Sequence, residues 1–433
     1  MISKRAILLA LATAGMLAGT SLAFAQSTVT MWTFLDPAKP GGREQALKTM
    51  IEGFEKENPG IKIKVEPQVW TTLAEKFVLG SNAGNAPDIT WVNAENLGLI
   101  LNTDAAADLA PPIMNKWTAA RKSDLLMPKS LESVTVGGKV LAIPLMTATW
   151  VMMYRKDLFR AAGIDVASIS TWDGVTQAAK KLTKDTNGDG VPDVWGIGLG
   201  LAQERFSATP ALFAAMEIDG GLVTSDCKPL FASKGGEQGV MLQANWVNRD
   251  KVTPRESISM TSDDAIDQFA AGRYAMQIIG NTRFEQIQRT ASNWNKDDLG
   301  MAPIPTWTAG KIGPQPVVGW YAVAWRKSPR LDAAAKFIDY MTSAASMGLW
   351  TEPGGQMPMN KSLMASAKLK TPQLAPLRDA ASFMEKGAVF MPGACNWSRT
   401  FADFNLATQQ VILGKAPVAD ALKQAAKATA DRQ

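Results

Sequence analysis

Along residues 29–92 the apolar positions switch between two periods. Val29–Phe34 (VTMWTF) changes face at every residue and reads as a strand. From Gly42 to Asn58 the period lengthens. Leu47, Met50, Ile51 and Phe54 fall on one helical face, and Asn58-Pro59-Gly60 stops the helix. Ile61–Pro67 (IKIKVEP) alternates strictly, Thr71–Ala83 reads as a helix, and Pro87–Val92 as a third strand. Strand, helix, strand, helix, strand predicts a sheet with helices on both faces, and ligands of such sheets sit beyond the carboxyl ends of the strands.

A second series begins farther on. Val140–Pro144 and Trp150–Tyr154 read as strands, and Thr171–Leu182 as a helix with Thr171 at its N-cap and Ala178, Ala179 and Leu182 on its packing face. Asp263–Gly272 is predicted helical, Tyr274–Ile279 and Trp320–Trp325 extended, and Asp332–Thr342, Phe401–Gly414 and Val418–Thr429 helical. No short repeat and no low-complexity linker interrupts the chain. At 433 residues it is too long for one small core, so the pattern predicts two α/β lobes packed around a cleft.

The first 25 residues carry a different kind of information. Lys4 and Arg5 precede an apolar stretch from Ile7 to Leu22, and Ala23-Phe24-Ala25 gives a small-x-small cleavage signature before Gln26. This is the pattern of a secretory signal peptide cleaved near Ala25-Gln26, with the mature protein exported to the periplasm. Removing it lowers the formal charge from +5 to +3, and the basic residues that remain are dispersed, so no nucleic-acid partner is expected. No later apolar run is long enough for a membrane span.

Composition narrows the chemistry. The chain has no histidine, which excludes Ser-His-Asp and Cys-His catalysis and every histidine-ligated metal site. Cys227 and Cys395 are its only cysteines, too few for a thiolate metal site; export permits a bridge between them, but spacing alone does not establish it against two separately buried thiols. What remains is carboxylates, hydroxyls, amides, Arg/Lys and aromatic rings, with fourteen Trp against four Tyr.

Several stretches together resemble one family. "MMYRKDLFRAAGID" (152–165), "STWDGVTQAAKKLT" (170–183), "AAGRYAMQIIGN" (270–281), "MAPIPT" (301–306), "GWYAVAWRKSPRLDAAAKFIDYMTS" (319–343) and "PGGQMPMNKS" (353–362) are similar, in order, to segments of the extracytoplasmic solute-binding proteins of ATP-driven importers, in the carbohydrate group that includes maltose-binding protein. The resemblance covers nearly the whole mature chain. It implies the two-lobed periplasmic-binding-protein fold, with two mixed sheets flanked by helices. By analogy, lobe one holds 26–147 plus 281–343 and lobe two 151–277 plus 346–433, with crossings near 148–150, 278–280 and 344–345. Both cysteines then fall in lobe two, which favours contact between them. The implied partners are a small sugar, polyol or phosphorylated polyol and an inner-membrane ABC permease with its ATPase. The protein is expected to act as a monomer and not as an enzyme.

A sugar presents apolar CH faces and a rim of hydroxyls, so its site needs aromatic rings together with carboxylates and amides. Phe34 and Asp36 lie just past the first strand, and Asn93 and Glu95 just past the third. Trp150 stands at the first crossing where the maltose-binding relatives place a carboxylate. Asn281 lies near the second crossing. Gly319-Trp320-Tyr321 combines a glycine that permits close approach with two rings. Gly354-Gly355-Gln356 offers backbone amides and a side-chain amide, and Trp397 stands about one helical turn from the position of the relatives' stacking aromatic. Trp32 and Trp91, inside strands, are expected in the core or cleft floor. Arg205, Arg283 and Arg399 keep an acidic or phosphorylated ligand open. An exported hydrolase is the competing reading, and Asp36 with Glu95 is the carboxylate pair it would use.

One loop has its own chemistry. Asp185, Asn187, Asp189, Val191 and Asp193 occupy positions 1, 3, 5, 7 and 9 of an EF-hand-like calcium loop with Gly190 at position 6. Position 12 is Gly196 and not the closing glutamate. No cofactor is required; a structural calcium and a self-bonded Asx-turn loop both fit this spacing.

Overall fold

The computed structural model describes residues 26–202, 208–351 and 355–432. Residues 1–25, expected to be a signal peptide, and Arg205 and Gly354 lie outside the described residues. Eleven strands are named in chain order among them. They are β1 (Ser27–Thr33), β2 (Ile61–Pro67), β3 (Ile89–Asn93), β4 (Thr135–Val136), β5 (Lys139–Val140), β6 (Ile143–Ala148), β7 (Trp150–Arg155), β8 (Met276–Gly280), β9 (Leu299–Ala302), β10 (Gln315–Ala324) and β11 (Ala388–Phe390).

Two separate sheets define two lobes. The first runs β11-β10-β3-β1-β2, with β6 also paired to β10; β1, β2 and β3 are parallel, while β10 runs against β3 and β6. The second is the three-stranded β8-β7-β9. In the parallel unit Val29 and Met31 alternate inward beneath the helix Gly42–Glu57, which buries Leu47, Met50 and Phe54 against them. The second lobe has its interior around Trp172, Phe213, Phe231, Trp246 and Phe404, with Thr171 capping the helix Trp172–Leu182 by accepting from the Gly174 N–H at 3.1 Å. This is the two-lobed mixed α/β fold of periplasmic binding proteins.

Strand pairing moves two of the expected boundaries. The chain passes between sheets at Thr149, between β6 and β7. It does not return near 278–280. β9 pairs with β7, from Met152 opposite Ala302 to Arg155 opposite Leu299, and Ile287 packs with Val151, Met153 and Phe269. Residues 281–302 therefore belong to the second lobe, and the chain returns between Trp307, whose N–H groups still bond Glu217 and Ala214, and Gln315. The third crossing is also later than 344–345. Trp350 is buried in the first lobe's core, and Ala380, Ala381 and Met384 pack beside Val317 of β10. Residues 344–390 stay with lobe one, and only the helices Trp397–Ile412 and Val418–Ala430 rejoin lobe two. Periodicity locates a strand but not its partner, and here the partner decides the lobe.

Cys227 and Cys395 form a disulfide with Cα atoms 5.3 Å apart. It ties the segment entering the last two helices to the body of lobe two. Among the described residues no helix is long and apolar enough to cross a membrane.

Candidate functional site

A cavity of about 320 Å³ lies between the lobes and takes walls from both. Lobe one supplies Phe34, Asn93 and Glu95 from just beyond the carboxyl ends of β1 and β3, which is where a parallel unit leaves its side chains unroofed. Antiparallel register puts Trp320 of β10 directly opposite Asn93, so these two share one face of the sheet. Trp320 rests on Phe34, with ring centroids 4.3 Å apart and planes inclined by 36°. Phe34 in turn meets Trp91 edge-on at 6.2 Å, and Trp91 meets the buried Trp350 at 5.7 Å. The stack runs from the core of lobe one to the cleft, and Trp320 is its outermost ring. Gly319 is also required by the packing of the sheet. Its φ is 149°, and a Cβ there would come within 2.0 Å of the Met146 carbonyl oxygen, so the glycine admits β6 while its backbone lines the cavity.

Polar groups surround these rings. The Asn93 Nδ2 donates to Glu95 Oε2 at 2.7 Å, and Asn96 donates to Asn93 Oδ1 at 2.9 Å. Glu95 is buried, and burial pushes its pKa above the ordinary carboxylate value against those hydrogen bonds. Lobe two supplies Trp150 at the start of β7, packed on Phe213 and Phe401, and Gln277 of β8. Gln277 is buried and its Oε1 accepts no hydrogen bond, an acceptor left to a donor that enters the cavity. Asp263 and Arg283, also in the lining, pair at 2.8 Å.

Of the residues predicted for the site, Phe34, Asn93, Glu95, Trp150 and Trp320 come together here. Gly319 and Arg283 line it as well, whereas Asp36, Asn281, Tyr321, Gly355, Gln356 and Trp397 do not. Tyr321 follows Trp320 on the strand and so faces the opposite side; it is buried beside Ser133 and Ser130, and burial pushes its hydroxyl up to about 12. Asp36 caps its own loop by accepting from the Ala38 N–H at 3.0 Å. Asn281 ties the crossing: its N–H donates to the Thr149 carbonyl and its Oδ1 accepts from the Thr149 N–H, each at 2.9 Å. Gly355, at φ 61°, donates its N–H to the Thr351 carbonyl, and Gln356 is buried beyond it. Trp397 is buried on Phe401 and donates Nε1 to the Pro392 carbonyl at 2.9 Å. Among the described residues the cavity's carboxylates are thus Glu95 and the ion-paired Asp263, and the Asp36–Glu95 pair a hydrolase would need is not assembled.

Sequence reasoning missed Arg43, Trp70, Gln277 and Asp263. Arg43 and Trp70 stand at or beside the first turns of helices that follow the carboxyl ends of β1 and β2, so the rule that placed Phe34 and Asn93 there extends to them.

The loop 185–193 closes on itself. Asp185 accepts from the Gly188 and Gly190 N–H groups, Asn187 from Asp189, and Asp189 from Val191, all within 2.9 Å, while Asp193 accepts from Thr186. These side-chain-to-backbone bonds give the loop the form of Asx turns.

Comparison with known proteins agrees with this geometry. The family model for bacterial extracellular solute-binding proteins matches residues 40–348, and the chain belongs to that family of binding proteins. A Brucella abortus protein described as a binding protein is 26% identical over 421 residues, covering 95% of this chain and 96% of the relative. The maltodextrin-binding protein MdxE of Bacillus subtilis is 26% identical over 342 residues, 73% of this chain and 72% of its own length. Among solved structures, the GacH receptor of Streptomyces glaucescens, determined unliganded and with acarbose, superposes with a TM-score of 0.78 at 22% identity, covering 94% of this chain and all of its own.

Proposed function

We propose that this protein is the periplasmic substrate-binding component of an ATP-driven importer. It captures a sugar or related polyol and presents the closed form to a membrane permease with its ATPase. The observation that carries the reading is the interlobe cavity whose walls combine the Phe34–Trp320 stack and Trp150 with Asn93, Glu95 and the unpaired Gln277 acceptor. Rings cover CH faces, and the carboxyl and amide groups meet hydroxyls in a site drained of water. The maltodextrin named for the Bacillus subtilis relative and the acarbose of the GacH structure belong to this chemical class.

The mechanism is population shift. Contacts to both lobes form only when they close, so ligand stabilises the closed state by its differential affinity for it. The protein acts as a monomer, with the crossing at Thr149 and Asn281 as one element of the hinge. A thermal-shift screen against sugars and polyols should raise the melting temperature, by an amount equivalent to about 2.7 kcal/mol at a hundredfold excess over Kd, and return the ligand chemically unchanged. Release of shorter sugars from an oligosaccharide, abolished by Glu95→Gln, would establish a hydrolase instead.

A further inference from the structure

The charges around the cavity are equal in number but unequally paired. Four ionisable side chains among the described lining residues carry formal charge: Arg43, Glu95, Asp263 and Arg283. Arg283 and Asp263 cancel as an ion pair at 2.8 Å, and Gln286 also accepts from Arg283 at 2.7 Å. Glu95 is buried, hydrogen-bonded by Asn93, and held toward its neutral form by that burial. Arg43 is left over. Its guanidinium lies over the Phe34 ring, 5.4 Å from the centroid, and it has no ion pair among the described residues. Two carboxylates, Glu44 and Glu285, favour its charge through space without forming an ion pair with it. Glu285 accepts from Arg289 at 3.1 Å, and Glu44 folds back over Gly41 at the start of its own helix. Burial first, and then the like charge of Arg283, both oppose the charged form of Arg43. Arg43 comes from lobe one and Arg283 from lobe two, so two like charges reach the cavity from different lobes and the field of Arg283 is felt at Arg43 despite its pairing with Asp263.

We propose that the solute captured in this cleft is a sugar or polyol bearing an anionic group, a carboxylate or a phosphate, which pairs with Arg43 and draws Arg283 toward it as the lobes close. A guanidinium is matched to either group by its planar fork of donors. The anion removes the repulsion that opposes closure, so its charge acts on the open-to-closed equilibrium as well as on contact. The rings and the Gln277 acceptor still receive the CH faces and hydroxyls of the remainder. This inference rests on the binding-protein reading above and specifies the ligand class within it.

Isothermal titration with matched pairs tests it. Glucose is paired with glucuronate and with glucose 6-phosphate, galactose with galacturonate, and glycerol with glycerol 3-phosphate, so the carboxylate and phosphate arms separate the two sources of charge. At least one anionic member should bind about tenfold or more tightly than its neutral parent, a margin that shrinks as salt is raised. Arg43→Gln should bring the pair to within a few-fold of each other, and Arg43→Lys should keep part of the preference. Neutral sugars that bind as well as or better than their charged partners in the unmodified protein overturn the inference and leave the binding reading standing. A panel in which no member binds overturns both. The comparison of charged and neutral ligands in the unmodified protein decides the matter even if an Arg43 variant fails to fold.

Discussion

Replacing Trp320 by alanine separates a ring that holds ligand from a ring that holds the fold. Trp320 is only partly buried, and its main partner is Phe34 at 4.3 Å. It lies at the cleft end of a stack whose inner members, Trp91 and Trp350, are buried in the core of lobe one. A fully buried indole truncated to alanine costs about 3–5 kcal/mol of stability. A partly solvated one has gained only part of that burial energy, so Trp320→Ala should cost about 1–2 kcal/mol without ligand. Binding should suffer more in proportion, by about 2 kcal/mol or roughly thirtyfold in Kd, as expected for an anchoring aromatic. Trp320→Phe should recover part of the affinity, because a smaller ring still covers a CH face. Trp91→Ala is the internal control, with a core-sized stability loss and little change in affinity of the folded fraction. Urea melts and ligand titrations on the four proteins give both quantities. A loss above 3 kcal/mol for Trp320→Ala with unchanged Kd would refute the assignment and place the stack wholly in the core.

Glu95→Gln should weaken ligand binding while changing the pH dependence of stability. The folded pKa of Glu95 is raised by burial, so the unfolded chain releases its proton first as pH rises; its favourable contribution is complete below the ordinary carboxylate pKa of about 4.3 and is lost as pH rises through the folded value. The variant should therefore gain stability relative to the parent as pH rises above about 4 in denaturant melts, and a constant difference would show that Glu95 is not held toward neutrality. Reducing the Cys227–Cys395 bridge frees a separation of 168 residues, for which loop-closure entropy alone gives about 5 kcal/mol as an upper figure. A Cys227→Ser/Cys395→Ser protein should thus unfold at lower denaturant with the ligand Kd little altered, since neither cysteine lines the cavity. For the 185–193 loop, we propose that its Asx-turn bonds hold its shape without metal, so calcium titrated into chelator-treated protein should release no heat and leave the melting temperature unchanged; a rise in melting temperature would show that the loop rearranges into a calcium site.

Where burial is one-sided, pattern and structure coincide. β2, the capped helix Trp172–Leu182 and the final helix Val418–Ala430 each keep one face in water, and that asymmetry is what periodicity detects. The failures lie where it vanishes. Helix Pro210–Asp219 buries every residue from Pro210 to Met216, so it has no polar stripe to announce it. Its neighbour Lys234–Asn248 carries three glycines that read as breakers. At Gly239 a Cβ would lie 2.3 Å from the Ala211 carbonyl oxygen, so this glycine lets the two helices approach and does not end one. The same limit governs the site. Strand ends locate Phe34, Asn93 and Glu95, whereas the ring chemistry that points to Tyr321 and Trp397 carries no information on facing. Alternation alone would have removed Tyr321, since adjacent strand residues cannot both face one cleft. Arg43 is different in kind. Its significance is the absence of a partner, and that can be judged only after the fold has brought Asp263 to Arg283 and Arg289 to Glu285. The identity of a charged ligand is therefore written less in which ionisable residues the chain contains than in which one the folded lobes leave unpaired.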